Sequence, residues 1–370
     1  MRICLSFEPF CSPKGFDYAN IWTAQRGMSG SDLGLHRIAQ ECQKLGHDVT
    51  IYTFPADGTT LPATWEGLRV RHYDQRAEEE WDAAVVWNHP DALRGMRAKL
   101  RAVSLQINTV LGRPGDTVGC WLSPSEWHRA RLQNHHPAPF EVVPDGCDIE
   151  PFDALFAAGF QKVPGRVVWT SSPDRGLHWL LQEWPMIKRA VPHASLRVFY
   201  KLKPWLDHFR APPALQENSI QEQHRRALYI EAAMPRLANM GVEFFDSVSR
   251  VEITKEVAAA ECFGYSADTV IESEGFSCST AEACAARSCP IITNVDAFPE
   301  IYGGTLPMVE MPLTKNAPIF RDLVIRALTD SAFRDDVNAK ARALAERNTW
   351  ALAAAKMCEV LETHLAGRPG

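Results

Sequence analysis

"RVVWTSSPDRGLHWLLQEWPMIKRAVPHASLRVFY", Arg166 to Tyr200, reads as strand, turn, helix, strand. The strand RVVWTS ends in small polar residues and a proline, the helix is LHWLLQEWPMIKRA, and LRVFY returns as a second strand. Downstream, VEFFD, DTVI and PIIT continue the series as short apolar runs. Upstream the same alternation has already run once. RICLSF predicts a strand, and SDLGLHRIAQECQKLGH predicts a helix with Leu35, Ile38, Ala39, Cys42 and Leu45 at helical spacing and Gly46 as its stop. DVTIYTF, AAVVW, VSLQI and FEVVP follow as buried strands. The doubled pattern predicts an α/β chain of two Rossmann-like domains, each a doubly wound parallel sheet, facing across a cleft. The first domain spans 1–150, a linker 151–165, and the second domain 166–345.

Composition excludes several classes. A chain of 370 residues can bury two ordinary cores, and 46% hydrophobic with 23% charged residues fits a globular protein. The net charge of −6 argues against a protein that coats nucleic acid. No apolar run reaches the roughly 18 residues that span a bilayer, and the N-terminus is too polar for a secretory signal. Ten cysteines without C-x-x-C pairs predict reduced thiols and a cytoplasmic location, with peripheral membrane attachment as the alternative.

Two carboxylates stand out in "ESEGFSCSTAEACAARSCP", Glu272 to Pro290: Glu274 and Glu282, separated by a small-residue turn. Ser279 and Glu282 fit a helix capping box, and Glu274 fits a solvated loop acid. Neither reading explains why the turn supplies a helix N-terminus ready for an anion. The longer stretch Glu261 to Gly304 resembles the donor-binding segment of the retaining family-4 glycosyltransferases of GT-B fold, whose E-x7-E signature falls on Glu274 and Glu282. The likeness extends over nearly the whole chain. RGMSGSDLGLHRIAQ is similar to the family's glycine-rich loop and first helix, with Ser29-Gly30-Ser31-Asp32 in place of Gly-Gly-x-Glu, and PDGCD at 144–148 resembles its Pro-Asn-Gly-Val-Asp turn.

The resemblance implies a sugar transferred from a nucleotide-sugar to an acceptor hydroxyl, with retained anomeric configuration, no cofactor and no catalytic metal. Arg175 stands at the family's Lys position toward the donor diphosphate and Thr170 at its Arg position, with Lys201 as the candidate second cation. A guanidinium can bind diphosphate with two hydrogen bonds at once, so Arg for Lys is chemically sufficient. Glu274 is expected to hold donor-sugar hydroxyls and Glu282 the ribose. Amides from Phe276 through Ser277 and Cys278 to Ser279 face the phosphates, and Ser29, Gly30 and Ser31 supply close backbone. His89 in VVWNHPD falls at a strand end, as a site residue or as an ordinary loop histidine. The final helix after Trp350, residues 346–370, is expected to pack back on the first domain.

Residues 94–131 hold seven Arg or Lys against two acids, read either as a solvated helix face or as a surface for an anionic acceptor. A glycan or glycolipid acceptor is the family's default, with nucleic acid as the alternative. Two rival readings stand: a nucleotide-sugar epimerase of the same fold, and a nicotinamide-dependent oxidoreductase, disfavoured because no G-x-G-x-x-G follows the first strand.

Overall fold

A computed structural model describes residues 1–7, 14–25, 27–110, 118–211, 218–268 and 273–367. Arg26 of the glycine-rich loop, residues 111–117 of the basic stretch, and Thr269 to Ile271 of the expected strand DTVI lie outside the described residues. The chain divides into two compact units. Unit 1 comprises Met1–Ala24, Met28–Gly146 and Asn348–Gly370; unit 2 comprises Gln25–Gly27 and Cys147–Arg347.

In unit 1, β1 (Arg2–Ser6) leads to α1 (Gly30–Lys44), β2 (Asp48–Thr53), β3 (Thr64–Trp65), β4 (Leu68–His72), β5 (Glu80–Trp87), β6 (Arg97–Ser104), β7 (Cys120–Ser123), α2 (Glu126–Leu132) and β8 (Phe140–Val142). The sheet order is β3-β4-β2-β1-β5-β6-β7-β8. All pairings are parallel except the short β3–β4 edge, which is antiparallel. β6 begins well before the expected VSLQI because three cations interrupt its apolar pattern. Arg97 and Lys99 lie on this strand, not on a helix face, and pair with Glu80 and Asp82 of neighbouring β5 at 3.5 and 2.8 Å. Part of the basic stretch is thus neutralised within the sheet.

Unit 2 runs α3 (Glu150–Ala157), β9 (Arg166–Trp169), α4 (Leu177–Ala190), β10 (Ser195–Phe199), α5 (Leu202–Arg210), α6 (Asn218–Ala238), β11 (Val242–Phe245), α7 (Arg250–Ala259), β12 (Cys262–Tyr265), α8 (Cys278–Ala285), β13 (Pro290–Thr293), α9 (Phe298–Tyr302), β14 (Met308–Val309), α10 (Leu313–Thr329) and α11 (Ser331–Arg347). Its six strands are parallel in the order β11-β10-β9-β12-β13-β14. The stretch expected as a linker holds α3, whose Phe152 is fully buried in the unit 2 core. The fourth described strand of the unit is CFGY, each residue buried and paired between β9 and β13, while the expected DTVI lies almost wholly outside the described residues. Burial of a side chain such as Phe263 contributes about 1.5–3 kcal/mol.

The last helix, α12 (Trp350–Ala366), belongs to unit 1 and packs on α1. Glycines make room for it. A Cβ on Gly34 would come within 2.8 Å of the Trp350 ring, and one on Gly146 within 2.4 Å of the Trp350 backbone nitrogen. Cys42 and Cys358 face each other across the same contact, with sulfurs 3.4 Å apart.

Candidate active site

Sheet order marks a candidate site. In unit 2, β9, β10 and β11 are laid down toward one edge, then β12, β13 and β14 toward the other, so the winding reverses between β9 and β12. A crevice forms outside the carboxyl ends of the strands at such a reversal, because the loops on either side diverge. Arg175 follows β9 and Glu274 follows β12, so the two flank this point.

The sequence makes the first loop rigid. Pro173 starts a single 3₁₀ turn, Pro173–Arg175, and Gly176 ends it at φ 102°. A Cβ there would sit 2.1 Å from the Ser266 carbonyl oxygen, so only glycine lets the turn approach the segment after β12. Arg175 Nη1 lies 3.2 Å from Glu274 Oε1, an ion pair, yet this nitrogen is buried without a hydrogen-bond partner. The contact is close but off the hydrogen-bonding direction. Burial opposes charge on Arg175, and Glu274, Tyr265, Asp174 and Asp296 outweigh it, holding its pKa above the ordinary value.

Glu274 is buried, not the solvated acid that its loop position allows. Tyr265 donates its hydroxyl to Glu274 Oε1 at 2.7 Å, and Asp296 Oδ2 accepts from the backbone nitrogens of Ser273 and Glu274 at 2.8 and 3.0 Å. Burial raises the Glu274 carboxyl above its usual range, against the pull of Arg175 and Tyr265.

Glu282 departs from the capping-box reading. The helix starts at Cys278 with Ser277 as N-cap, so Glu282 lies in the second turn of α8 and not at the third position. Its carboxylate is instead hydrogen-bonded to Arg250, the first residue of α7, whose side chain is largely buried beside it. Ser277 itself takes φ 74°, a left-handed conformation rare outside glycine that costs on the order of 1–3 kcal/mol. Its hydroxyl accepts from the Thr280 amide, and Tyr302 donates to the carbonyls of Phe276 and Ser277 at 2.8 and 3.1 Å. The first turn of α8 is thereby fixed, with Cys278 and Ser279 at its start and Ser279 Oγ 3.5 Å from the Thr170 carbonyl. Thr170 Oγ1 is a buried hydroxyl with no partner among the described residues. Lys201 stands at the N-cap position of α5, two residues past the carboxyl end of β10.

Four expected site residues belong to unit 1. Its sheet reverses between β1 and β5, and His89 lies two residues past β5, after Asn88 at φ 58°. Ser29 is the N-cap of α1, with Gly30 and Ser31 its first residues. Ser29 Oγ accepts from the Asp32 amide at 3.1 Å, and the Asp32 carboxylate accepts from the Ser29 nitrogen. The helix therefore starts at Gly30, one residue before the SDLGLHRIAQECQKLGH stretch that the pattern predicts as helical.

Sequence reasoning missed Arg250, Tyr265 and Asp296. Tyr265 had a local signal, as the last residue of a buried run. Arg250 and Asp296 had none, since their partners come from elsewhere in the chain. Among the described residues, no group of His, Cys, Asp or Glu is arranged to hold a metal ion, and no helix is long and apolar enough to cross a membrane.

No protein-family model matches the sequence, and no curated protein sequence matches it. Solved structures do. A sucrose-phosphate synthase from Thermosynechococcus elongatus aligns over 100% of both chains with a TM-score of 0.68 at 13% identity. AviGT4, a glycosyltransferase involved in avilamycin A biosynthesis, aligns over 100% of this chain and 99% of its own, with a TM-score of 0.69 at 17% identity. A UDP-forming α,α-trehalose-phosphate synthase from Burkholderia vietnamiensis aligns over 99% of this chain and 100% of its own, at 0.66 and 11%. Along its full length the chain has the mixed α/β, two-sheet fold of these proteins, the GT-B fold.

Proposed function

We propose that the chain is a glycosyltransferase that moves a sugar from a nucleotide-sugar to an acceptor hydroxyl, retaining anomeric configuration without a metal or other cofactor. The observation that carries this reading is the Arg175–Glu274 pair, which flanks the unit 2 reversal beside the α8 N-terminus. A guanidinium with an unused donor next to helix amides suits a diphosphate, where charge develops on the leaving group. On binding, Arg175 turns its donors to the phosphates and frees Glu274 Oε1 for donor-sugar hydroxyls. Glu282 already gives Oε1 to Arg250, so the ribose contact falls to Oε2. Thr170 Oγ1, Lys201 and the amides from Phe276 to Ser279 complete the phosphate side. Ser29, Gly30, Ser31 and His89 are assigned to the acceptor and donor sugar. The acceptor is a glycan or glycolipid, with nucleic acid as the alternative, and the protein works in the cytoplasm or at a membrane surface.

The test is a thermal-shift screen against UDP-, GDP-, ADP- and dTDP-sugars with a chelator present, followed by NMR of the product's anomeric centre. Stabilisation by one donor and transfer with retention is the expected result. Absence of any binding, or inversion, overturns the reading. No observation favours the epimerase: the aligned structures above are a glycosyltransferase and two synthases.

A further inference from the structure

The connection between β10 and β11 is long and polar and carries α5 and α6. Within it, on α6, Arg226 is a charged side chain only 2% exposed. Its three nitrogens reach three acceptors. Nη1 donates to the Asp174 carbonyl at 2.8 Å, Nη2 to Asp268 Oδ2 at 2.7 Å, and Nε to Glu222 Oε1 at 3.2 Å. Trp179, in the first turn of α4, donates to the same Asp268 oxygen at 2.8 Å. Ser266 Oγ adds a parallel tie to the Gly176 carbonyl at 2.9 Å.

These bonds join two segments that are far apart in the chain. Asp174 immediately precedes Arg175 in the turn after β9. Asp268 lies beyond β12, six residues before Glu274. A buried ion pair is rarely the most stable choice, since an apolar side chain of similar volume does as well without the desolvation cost. What an apolar side chain cannot do is bridge a carbonyl and a carboxylate at fixed distances.

We infer that Arg226 is a positioning residue of the donor site, clamping the turn that carries Arg175 to Asp268, just past the carboxyl end of β12. The inference rests on the nucleotide-sugar reading of that pair for its consequence, while the clamp itself is a property of the unliganded protein. Bond by bond, the clamp fixes where the turn that carries Arg175 stands against Ser266 and Asp268, just past β12, before any ligand arrives. Preset geometry of this kind is what a transferring group needs, and small misplacements lower rates about ten- to hundredfold.

The experiment has two arms. Hydrogen–deuterium exchange on the unliganded protein compares the parent with Arg226→Met, Arg226→Lys and Asp268→Asn. Amides of Arg175, Gly176 and Ser266 to Asp268 should exchange at least about tenfold faster in the Met variant, with Lys intermediate and Asp268→Asn close to Met. In the second arm, donor kinetics should show kcat/KM falling about ten- to hundredfold for Arg226→Met and less for Arg226→Lys. Exchange unchanged in both segments overturns the clamp, and faster exchange with unchanged kcat/KM overturns its role in the site. If the parent neither binds nor turns over any nucleotide-sugar, the functional reading fails while the first arm still judges the clamp. Should Arg226→Met not fold, Asp268→Asn gives both readouts.

Discussion

Glu274 and Glu282 are eight residues apart, both are buried, and each faces one guanidinium, yet the two pairs are built differently. Arg250 and Glu282 lie on neighbouring helices and are joined by a charge-assisted hydrogen bond through Glu282 Oε1. Arg175 and Glu274 lie on two loops and touch at 3.2 Å, but the nearest guanidinium nitrogen has no hydrogen bond. The first arrangement is a closed pair. The second keeps donors in reserve, held in place by Asp296 and Tyr265 on one side and the glycine-ended turn on the other. The difference teaches that a buried ion pair declares its role by hydrogen-bond alignment more than by distance.

Breaking the closed pair should have the largest effect. Arg250→Ala leaves the buried Glu282 carboxylate without its cation and should lower stability by about 3–5 kcal/mol in urea melts. Adding Glu282→Gln should recover much of that loss, because no charge is then stranded; an Arg250→Ala protein as stable as the parent would break the comparison.

The open pair should answer in kinetics first. Glu274→Gln should reduce kcat by about a hundredfold while nucleoside diphosphate affinity, measured by calorimetry, stays within about twofold. Glu282→Gln is expected to weaken nucleoside diphosphate binding instead. Arg175→Ala should cut turnover about tenfold or more, and Arg175→Lys should retain part of it, since one cation still meets the phosphates.

A pH series sharpens the same contrast on a smaller scale. The folded protein raises the Glu274 carboxyl above its unfolded value of about 4. It therefore holds that proton more tightly than the unfolded chain, and this contribution is fully present below the unfolded pKa. As pH climbs toward the raised folded value, the contribution is lost, so stability falls relative to Glu274→Gln. Urea titrations from pH 4 upward should show a steeper decline in the parent than in the variant. The smallest change is Tyr265→Phe, which removes the hydrogen bonds to Glu274 and Ser171 and should cost about 1–2 kcal/mol of stability.

The alternation of strand and helix was legible because proline, glycine and small polar residues mark each strand end, as at Thr170 to Gly176. Arg175 was legible as a candidate through the resemblance, which puts it at the family's Lys position, and Glu274 through the small-residue turn that follows it and the E-x7-E spacing. Strands that carry cations or glycine were harder. β6 alternates Arg97, Lys99 and Arg101 with apolar residues, and CFGY is less β-rich than the DTVI that follows it. The start of α8 was misread because Ser277 and Ser279 are equally good caps in one dimension, and only the φ of Ser277 distinguishes them. Arg226 and Arg250 were invisible for another reason. Their partners lie 42 and 32 residues further along, at Asp268 and Glu282, and only sheet order brings them near.

The return of α12 to α1 also sets an order of events during synthesis. Unit 2 is nearly continuous, Cys147 to Arg347, and its strands can pair as soon as they leave the ribosome. Unit 1 cannot finish, because the Trp350 ring that fills the space over Gly34 emerges after all of unit 2. Until then the face of α1 bearing Gly34 and Cys42 waits uncovered. A nascent chain stalled before residue 350 is consequently a substrate for chaperones through its first half, although that half was translated first.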